Sequence, residues 1–584
     1  MPSPSFAGPH DIIPANRRQG LSMNDTSRRD PFYAVCLAAL VLLWVGVALH
    51  VAGDMVWGTD DAYITYRYAR NLAQGRGLVF NPGERVEGCS TLLYALLMTP
   101  AFFVFGDAQI YFFSLALNVL LVSAALCVYC TYVRRRLSPG AAAVAALLFA
   151  VSPFMWRTTA NGMETALVLL VQLLIWTAVT QVTAGSPRQT GVLCAAFALS
   201  ILARADGFVA PVIAVAYLLF RRRYRAAFAG LAVAAATLGA YVAWRYAYYG
   251  YPLPNTYYAK VAGPLAVRFE GAFAHLRLLT LSWGFWPSAL GLAAPLLGAA
   301  VWAVGASWRR ADRRFSLGAL AANALPTFRG PAARLAAAVA RPFRFLGEKG
   351  LTLPAAIPFE TFFACGWIAY WHYIGGDFVG VRFLLFLFPL GTCALLQWLA
   401  PLLRKRMALA AVCAGLMLIQ LTPLATNSHF DYTFRKFDGW RQVGEFLRDH
   451  HAGKTVALDA AGKMPFYSGL YTIDMLGLND EYIAHQPVRR ADLRPGHSKW
   501  DTQYVLERRP DLIAAFHYID ASLQYGLSPS AYEAAGYRLA YVAYLKPPGP
   551  GTAPILDVRG LPQEEQAERL RAEMSLGILE RIAP

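Results

Sequence analysis

The stretch "PFYAVCLAALVLLWVGVALHVAG" (Pro31–Gly53) is followed four residues later by "GTDDAYITYRYARN" (Gly58–Asn71). The first stretch is apolar and long enough to cross a bilayer, which takes about 20 such residues. The second opens on two carboxylates, Asp60 and Asp61. At helical spacing behind them follow a tyrosine and two arginines, Tyr63, Arg67 and Arg70. A helix N-cap requires only one acidic residue, so the second carboxylate indicates something more than a helix start.

The composition of the whole chain indicates a membrane protein. Of 584 residues, 57% are hydrophobic and 15% are charged, whereas a soluble domain has about 25% charged residues. The net charge is +17, and the basic residues form short clusters between apolar runs, such as Arg134–Arg136, Arg221–Arg225 and Arg404–Arg406. Such clusters are typical of cytoplasmic loops. We therefore expect no nucleic-acid partner.

The apolar runs predict a polytopic α-helical domain over residues 31–426 with about eleven spans. Residues 1–30 are expected in the cytoplasm, and residues 54–109 form the first outer loop. The patch Leu92–Phe105 is too short to cross and is expected at the outer surface. Two later spans are expected near 275–304 and 351–370. This threading places every large basic cluster on the inner side.

Residues 427–584 change character. "KTVALDAAG" has the pattern of a strand that ends in a glycine turn, and "DGWRQVGEFLRDH" has the pattern of an amphipathic helix. "PDLIAAF" and "YRLAYVAYLK" have the pattern of further strands. The tail is therefore predicted to be a small soluble α/β domain on the outer face.

Polar segments collect on the outer side in this threading. They are "DDAYITYRYARN", "NGMET", "RADG", "LPNTYYAK" and "HYIGGDFVGVR". Ionisable residues at membrane depth are costly, so several at one level indicate a site. The alternative is that each segment faces water in its own loop.

The residue types in these segments suit transfer of a sugar from a lipid phosphate. Nucleotide sugars are absent outside the cytoplasmic membrane, so the donor there is a polyprenyl phosphate sugar. Cations stabilise the leaving phosphate, and a carboxylate takes the acceptor proton or stabilises charge on the sugar ring. The carboxylates on offer are Asp60, Asp61, Glu164 and Asp377. The cations are Arg67, Arg70, Arg204, Lys260 and Arg382, and the rings are Tyr63, Tyr66, Tyr257 and Tyr258.

Several segments together resemble a known enzyme class. They are "DDAYITYRYARNLAQGRGLVFNPGERVEG" (Asp60–Gly88), "NGMETAL" (Asn161–Leu167), "YYGYPLPNTYYAK" (Tyr248–Lys260), "YIGGDFVGVRFL" (Tyr373–Leu384) and "DAAGKMPFYSG…IDMLGLND" (Asp459–Asp480). With an acidic pair directly after the first span, the chain resembles the GT-C glycosyltransferases. Within that class it resembles membrane arabinofuranosyltransferases of the mycobacterial terminal type. The related pattern often has Pro where this chain has Ala205.

The resemblance implies roles for individual residues. Asp60 and Asp61 would be the catalytic carboxylates, and Lys260 and Arg382 would hold the donor phosphate. Asp377 would contact the sugar. Further donor contacts are expected from Arg67, Asn255, Tyr257 and Tyr258. Other candidates for the site are Glu164, Arg204, His372, Asp459 and Asp474, and His497 suits carbohydrate contact.

The predicted function is transfer of arabinofuranose from a decaprenyl-type monophosphate to a glycan or protein acceptor. The reaction is expected on the outer face of a bacterial cytoplasmic (inner) membrane, with membrane lipid around the spans. No cofactor is expected to be required. A divalent cation, if one is used, would be held by the oxygen ligands of Asp60, Asp61 and Glu164.

Three alternatives stay open. The first is the same fold with another lipid-linked sugar, such as mannose or an aminopentose. The second is a lipid-sugar flippase, which would be expected to show inverted repeats and charges at mid-bilayer. The sequence shows no internal repeat, and its charges collect on one side. The third is an inactive protein with this fold.

Overall fold

The computed structural model describes residues 31–53, 57–261, 263–282, 284–296, 357–376, 381–427, 430, 437–489, 496–572 and 574–582. Of the predicted site residues, Asp377 lies outside the described part of the chain. The described residues form a helical part and a tail that contains a β-sheet.

The helical part begins with the first predicted span. Its helices are α1 Pro31–Gly53, α2 Asp60–Ala73, α3 Leu92–Val104, α4 Ile110–Arg134, α5 Pro139–Ala150, α6 Pro153–Ala160, α7 Thr165–Thr183, α8 Gln189–Ala203, α9 Val209–Phe220, α10 Tyr224–Tyr249, α11 Asn255–Lys260, α12 Leu265–Ser282, α13 Phe359–Ile374, α14 Leu387–Trp398, α15 Arg406–Leu421 and α16 Pro423–Thr426. Residues 286–296 are also helical, and 3₁₀ turns cover Asp107–Gln109 and Val381–Phe383.

Five helical segments in the described part are long and apolar enough to cross a membrane. They are α1, α7, α10 and the segments Asp107–Arg134 and Arg406–Thr426. The pair α5 and α6, bent by 44°, is a sixth candidate, and α3, α8, α9 and α14 are shorter apolar helices. The expected polytopic helical domain is confirmed. The number of eleven spans stays a prediction, because the spans near 275–304 and 351–370 fall partly outside the described residues.

The helical part packs around α7. Trp176 in the middle of α7 is fully buried. Its ring lies 5.4 Å from that of Phe363 on α13 and 5.7 Å from that of Phe386, measured between ring centroids. By contrast, α1 and α15 expose large apolar side chains such as Leu49 and Leu418. Helices that are apolar on every side and expose such residues are typical of a lipid-facing surface.

The tail contains a mixed β-sheet. Its helices are α17 Gly439–His450, α18 Lys463–Ser468, α19 Glu481–His485, α20 Thr502–Glu507, α21 Pro529–Ala534 and α22 Gln563–Leu570. Its strands are β1 Thr455–Leu458, β2 Tyr471–Asp474, β3 Leu512–Ile519, β4 Ser522–Leu523, β5 Tyr537–Tyr544, β6 Ile555–Asp557 and β7 Ser575–Arg581. The order is β2-β1-β3-β7-β5-β6, with β4 beside β3. Pairs β2-β1 and β1-β3 are parallel, and the others are antiparallel. The α/β tail is as predicted.

Arg67 on α2 joins the helical part to the tail. Its guanidinium is buried and donates to the carbonyl oxygens of Phe80 (2.8 Å), Pro465 (2.6 Å) and Leu470 (2.8 Å). It also donates to Oδ1 of Asn81 at 3.0 Å. The prediction that Arg67 contacts the donor is therefore wrong, because its N–H groups are directed to backbone carbonyls inside the protein.

We expect Arg67→Leu to detach the tail from α2. The substitution removes the buried charged donor of the hydrogen bonds to Pro465 and Leu470, and a hydrogen bond to a charged group contributes about 1.5–3 kcal/mol. The variant should melt at a lower temperature in detergent and should be cleaved faster by protease between the two parts. Arg76→Leu, at an exposed position in the turn that follows α2, is the matched control. Equal melting temperatures and cleavage rates for the two variants would contradict the linking role of Arg67.

Candidate active site

A cavity of about 350 Å³ lies where α2, α7, α11, α13 and the tail meet. Its charged and titratable lining includes Asp61, Glu164, Arg204, Asp206, Lys260, Arg382 and His497. These residues come from distant parts of the sequence. Seven of the predicted residues are brought together here, namely Asp61, Glu164, Arg204, Tyr257, Lys260, Arg382 and His497.

Asp61 lies in this cavity with its carboxylate partly exposed. Its Oδ2 accepts a hydrogen bond from Nη1 of Arg382 at 3.1 Å. Burial raises the pKa of Asp61, but the nearby charges of Arg382 and Lys260 outweigh burial and hold the pKa below its ordinary value. Asp61 is therefore ionised at neutral pH, and it stands beside two cations.

Lys260 is the last residue of α11 and lies against the tail. Gly496 has a φ of +83°, and a Cβ added there would lie 3.4 Å from Cε of Lys260. The backbone at Gly496 thus packs on the aliphatic part of the lysine and leads into His497, which also lines the cavity. The tail consequently forms one wall of the cavity.

A second group of charges, around Arg204, also lines the cavity. Nη1 of Arg204 lies 3.6 Å from Oε1 of Glu164, and Nε of Arg204 donates to Oδ1 of Asp206 at 3.0 Å. The guanidinium also lies over the ring of Phe383, 3.8 Å from its centroid. Glu164 and Asp206 are thus paired with the same arginine. This pairing reduces the cost of burying the charges.

The turn after α8 shows why this chain has alanine at position 205. The N–H of Ala205 donates to the carbonyl oxygen of Ser90 at 2.9 Å. Proline would lack this donor. Two residues later the backbone must be glycine, because a Cβ on Gly207 would lie 1.7 Å from the carbonyl oxygen of Ser200.

The start of α2 is fixed by the "NGMET" segment. The backbone N–H of Thr59 donates to the carbonyl oxygen of Asn161 at 3.0 Å. The hydroxyl of Tyr66 donates to the carbonyl oxygen of Gly162 at 2.8 Å. Gly162 has a φ of +80°, a backbone conformation that favours glycine. These contacts hold α2 beside Glu164, so that Asp61 and Glu164 line one cavity.

Asp60, by contrast, binds the tail. Its carboxylate accepts hydrogen bonds from the backbone N–H groups of Gly462 (3.2 Å) and Lys463 (2.7 Å). A Cβ on Gly462 would lie 2.0 Å from the carbonyl oxygen of Asp60, so the contact requires glycine. Burial raises the pKa of Asp60 to about 6, although the amide hydrogen bond to Lys463 opposes this. Asp60 was predicted to be catalytic, but it is not among the described residues that line the cavity.

Of the predicted aromatic and amide contacts, Tyr257 alone lies on the cavity lining within the described residues. Its hydroxyl is 3.2 Å from that of Tyr373. Nδ2 of Asn255 instead donates to the carbonyl oxygens of Gly477 (2.8 Å) and Leu478 (3.1 Å). The prediction of donor contact is wrong for Asn255, because its amide holds the tail. The same prediction is wrong for Tyr258, whose ring packs against His485 at 4.4 Å between centroids.

The other candidates also have contacts elsewhere. Nδ1 of His372 lies 2.8 Å from the carbonyl oxygen of Ile368 in its own helix. Oδ2 of Asp459 accepts from the N–H of Phe516 at 2.8 Å, and burial raises its pKa to about 7. Asp474 accepts from the N–H and side-chain amide of Asn479 and so closes a turn. The prediction of a site role is therefore corrected for His372, Asp459 and Asp474, since none of the three is among the described lining residues.

A divalent cation would need several carboxylates directed at one point. Among the described residues, there is no group of three or more His, Cys, Asp or Glu side chains placed to hold a metal ion. Asp60 faces the tail, while Asp61 and Glu164 each face an arginine. The suggested ligand set of Asp60, Asp61 and Glu164 is thus not assembled in the structure.

Among the lining residues that were not predicted are Asp206, Tyr370 and Tyr373. The hydroxyl of Tyr370 donates to Oδ2 of Asp206 at 3.3 Å. Asp206 lies in the polar segment "RADG", and Tyr373 lies in "HYIGGDFVGVR". Their position in these outer polar segments is the sequence signal that indicates a place in the site. Tyr370 lies one helical turn before the predicted segment, on the same helix as Tyr373.

We expect Asp60→Asn to change how stability depends on pH. Because the pKa of Asp60 is raised in the folded protein, its carboxyl takes up a proton there before it does in the unfolded chain. Its contribution to stability therefore grows as pH falls through about 6 and is lost as pH rises through that value. Relative to the variant, the wild type should gain a few degrees of melting temperature in detergent between pH 7 and pH 4.5. Asp520→Asn, at a well-exposed carboxylate, serves as the control, and parallel curves for wild type and Asp60→Asn would refute the assignment.

Two family models match parts of the chain. The one described as dolichyl-phosphate-mannose-protein mannosyltransferase matches residues 91–244. The other, described as a domain of unknown function (DUF8728), matches residues 431–554 in the tail.

A curated relative is similar over part of the sequence. The terminal beta-(1->2)-arabinofuranosyltransferase of Mycobacterium tuberculosis is 29% identical over 248 residues. This match covers 38% of the chain and 39% of the relative, so it spans well under two thirds of the relative's length.

Solved structures are similar over most of the chain. The apo oligosaccharyltransferase of Archaeoglobus fulgidus has a TM-score of 0.50 at 12% identity and covers 91% of this chain and 75% of its own. ArnT from Cupriavidus metallidurans, solved with undecaprenyl phosphate, has a TM-score of 0.44 at 14% identity. The match covers 94% of this chain and 98% of the ArnT chain. At this identity the archaeal likeness concerns the fold alone. The chain has the GT-C membrane glycosyltransferase fold, as expected from the sequence.

Proposed function

From the fold and the contents of the cavity, we propose that the chain is a membrane glycosyltransferase that takes a sugar from a polyprenyl phosphate. The single observation that carries this proposal is the placement of Asp61 beside Arg382 and Lys260 in a cavity of about 350 Å³. A carboxylate next to two cations is the arrangement that glycosyl transfer from a phosphate requires. The cavity is also large enough for a sugar phosphate, since ligand pockets span about 300–1,000 Å³.

In the proposed reaction the donor phosphate lies against Arg382 and Lys260. The acceptor hydroxyl lies near Asp61 and attacks the anomeric carbon of the donor sugar. A bond forms between the acceptor oxygen and that carbon, and the bond between that carbon and the phosphate oxygen breaks. Its electron pair leaves on the polyprenyl phosphate, where the two cations stabilise it. The acceptor proton passes to Asp61.

The apolar part of the lining supports a lipid-linked donor. Ile64, Phe208, Val261 and Ile374 line the same cavity as the charges. Apolar walls beside a charged centre fit a molecule that has a hydrocarbon chain and a phosphate. A soluble nucleotide sugar would leave these walls exposed to water.

We propose arabinofuranose as the sugar and a cell-surface glycan or protein as the acceptor. The mycobacterial relative supports arabinofuranose, because its name gives that sugar. The match to the mannosyltransferase family model over 91–244 makes mannose the second candidate. Purified protein would be incubated with polyprenyl-phosphate arabinose or polyprenyl-phosphate mannose and a short glycan. Transfer from the mannose donor alone would replace arabinofuranose by mannose, and movement of the lipid across vesicles without transfer would favour a flippase.

Asp61→Asn should lower kcat about 100- to 10,000-fold, because the amide cannot accept the proton. Asp61→Glu should retain part of the activity, since it keeps the carboxylate. Asp449→Asn, at an exposed carboxylate in the tail, is the matched control and should behave as wild type. Initial rates of transfer to the glycan measure the effect. Full activity of Asp61→Asn would remove Asp61 from the mechanism.

Lys260→Gln should raise KM for the donor about 10- to 100-fold, because a charge-assisted hydrogen bond to phosphate contributes about 1.5–3 kcal/mol. Lys454→Gln, on an exposed lysine of the tail, is the control. Inhibition by free polyprenyl phosphate should weaken in parallel for Lys260→Gln, since that compound lacks the sugar and tests the phosphate contact separately. An unchanged inhibition constant would contradict the phosphate role of Lys260.

A further inference from the structure

A second depression lies on the tail side of the cavity, and we call it the outer groove. Its volume is about 550 Å³. It is formed by the loop before Gly88, by Tyr251 shortly after α10, and by two helices of the tail, α19 and α20. The residues that matter here are Glu84, Tyr251, Glu481, Tyr482, Tyr504 and Arg508.

Tyrosine rings form much of the outer groove. The rings of Tyr482 and Tyr504 stack with 4.2 Å between centroids and 24° between planes. Tyr482 is 46% exposed. The hydroxyl of Tyr251 donates to Oε1 of Glu481 at 2.6 Å, which holds the third ring in place. Tyrosine rings that are held in place offer contact area at little cost in conformational entropy.

Arg508 lies at the centre of a polar network in the outer groove. Arg508 donates from Nη1 to the hydroxyl of Tyr504 at 3.0 Å and from Nη2 to that of Tyr471 at 2.8 Å. Its guanidinium lies 3.7 Å from Oε1 of Glu84 and 3.5 Å from Oδ2 of Asp480. Arg508 and Glu84 each keep about a third of the side chain exposed. Because three carboxylates line the groove against two guanidinium groups, the groove suits a neutral ligand with hydroxyl groups better than an anion.

Neutral oligosaccharides have the matching chemistry. Their hydroxyls donate to carboxylates and accept from a guanidinium, and their C–H faces pack on aromatic rings.

The outer groove and the cavity share a wall. The cavity is lined by Gly88 and Leu478, while the groove is lined by Val86 and Asn479. The two segments are in close contact, since a Cβ on Gly88 would lie 1.8 Å from Oδ1 of Asn479. Val86 and Gly88 are two residues apart, which spans at most roughly 7 Å. One oligosaccharide is long enough to reach both sides of such a wall.

We propose that the outer groove binds a neutral oligosaccharide portion of the acceptor while the end to be modified reaches Asp61. This assignment rests on the proposed glycosyltransferase function for its role in transfer, but binding to the groove can be measured without transfer. A protein or peptide acceptor without glycan would not need the stacked tyrosines.

The test uses the full-length protein in detergent without donor. The probes are an α-1,5-linked arabinofuranose hexasaccharide, an α-1,6-linked mannose hexasaccharide and the corresponding disaccharides. Tyr482→Ala should weaken binding of the preferred hexasaccharide about tenfold and leave the weak disaccharide binding unchanged. Tyr518→Ala, at a tyrosine of the tail that is 71% exposed, is the matched control and should bind as wild type. Calorimetry measures the dissociation constants.

Transfer kinetics then separate the two proposals. Tyr482→Ala should raise KM for the hexasaccharide acceptor with kcat unchanged, and it should not affect KM for the disaccharide. Loss of hexasaccharide binding in Tyr482→Ala, together with no transfer by wild type from any donor, would support the groove and refute the transferase function. Equal binding by Tyr482→Ala and wild type, or no binding of either hexasaccharide to wild type, would overturn the groove assignment whether or not transfer occurs.

Discussion

The arrangement of the site depends on the different directions taken by two adjacent carboxylates at the start of α2. Consecutive residues in an α-helix are separated by about 100° around the axis. Asp60 accepts hydrogen bonds from the backbone N–H groups of Gly462 and Lys463, while Asp61 faces Arg382. The first contact orients the helix and thereby aims the second carboxylate into the cavity. In this acidic pair, Asp60 thus attaches α2 to the tail, and Asp61 lines the cavity.

This division of roles explains why the tail belongs to the site. Arg67, one to two helical turns after Asp60, reaches the carbonyl oxygens of Pro465 and Leu470 in the tail. The tail also supplies Gly496 and His497 to the cavity, next to Lys260. The tail therefore contacts both the helix that carries Asp61 and the residue that is proposed to hold phosphate. Separation of the tail would loosen both walls at once.

The sequence predicted element types well and individual contacts poorly. Apolar length identified the polytopic helical part, and alternation identified β1, β3 and β5, because those signals are local. The position of β7 between β3 and β5 could not be predicted, since it depends on pairing across some sixty residues of the chain. Which carboxylate of the pair faces the cavity was likewise inaccessible, because the deciding amides lie about four hundred residues away. Arg67 and Asn255 are polar residues in motif segments, but their partners are distant backbone carbonyls that no local pattern reveals.

The distribution of charge in the cavity bears on how a donor would enter. Glu164 and Asp206 lie against Arg204, whereas Asp61 lies against Arg382 with Lys260 nearby. Among the described lining residues, Asp61 therefore has two cations beside it, Arg382 and Lys260, and an incoming phosphate would meet these two charges. A phosphate that binds Arg382 competes with Asp61 for the same guanidinium. Its arrival would weaken the ion pair and raise the proton affinity of Asp61 as the acceptor hydroxyl approaches. Donor binding and activation of the base are coupled in this way by a single arginine.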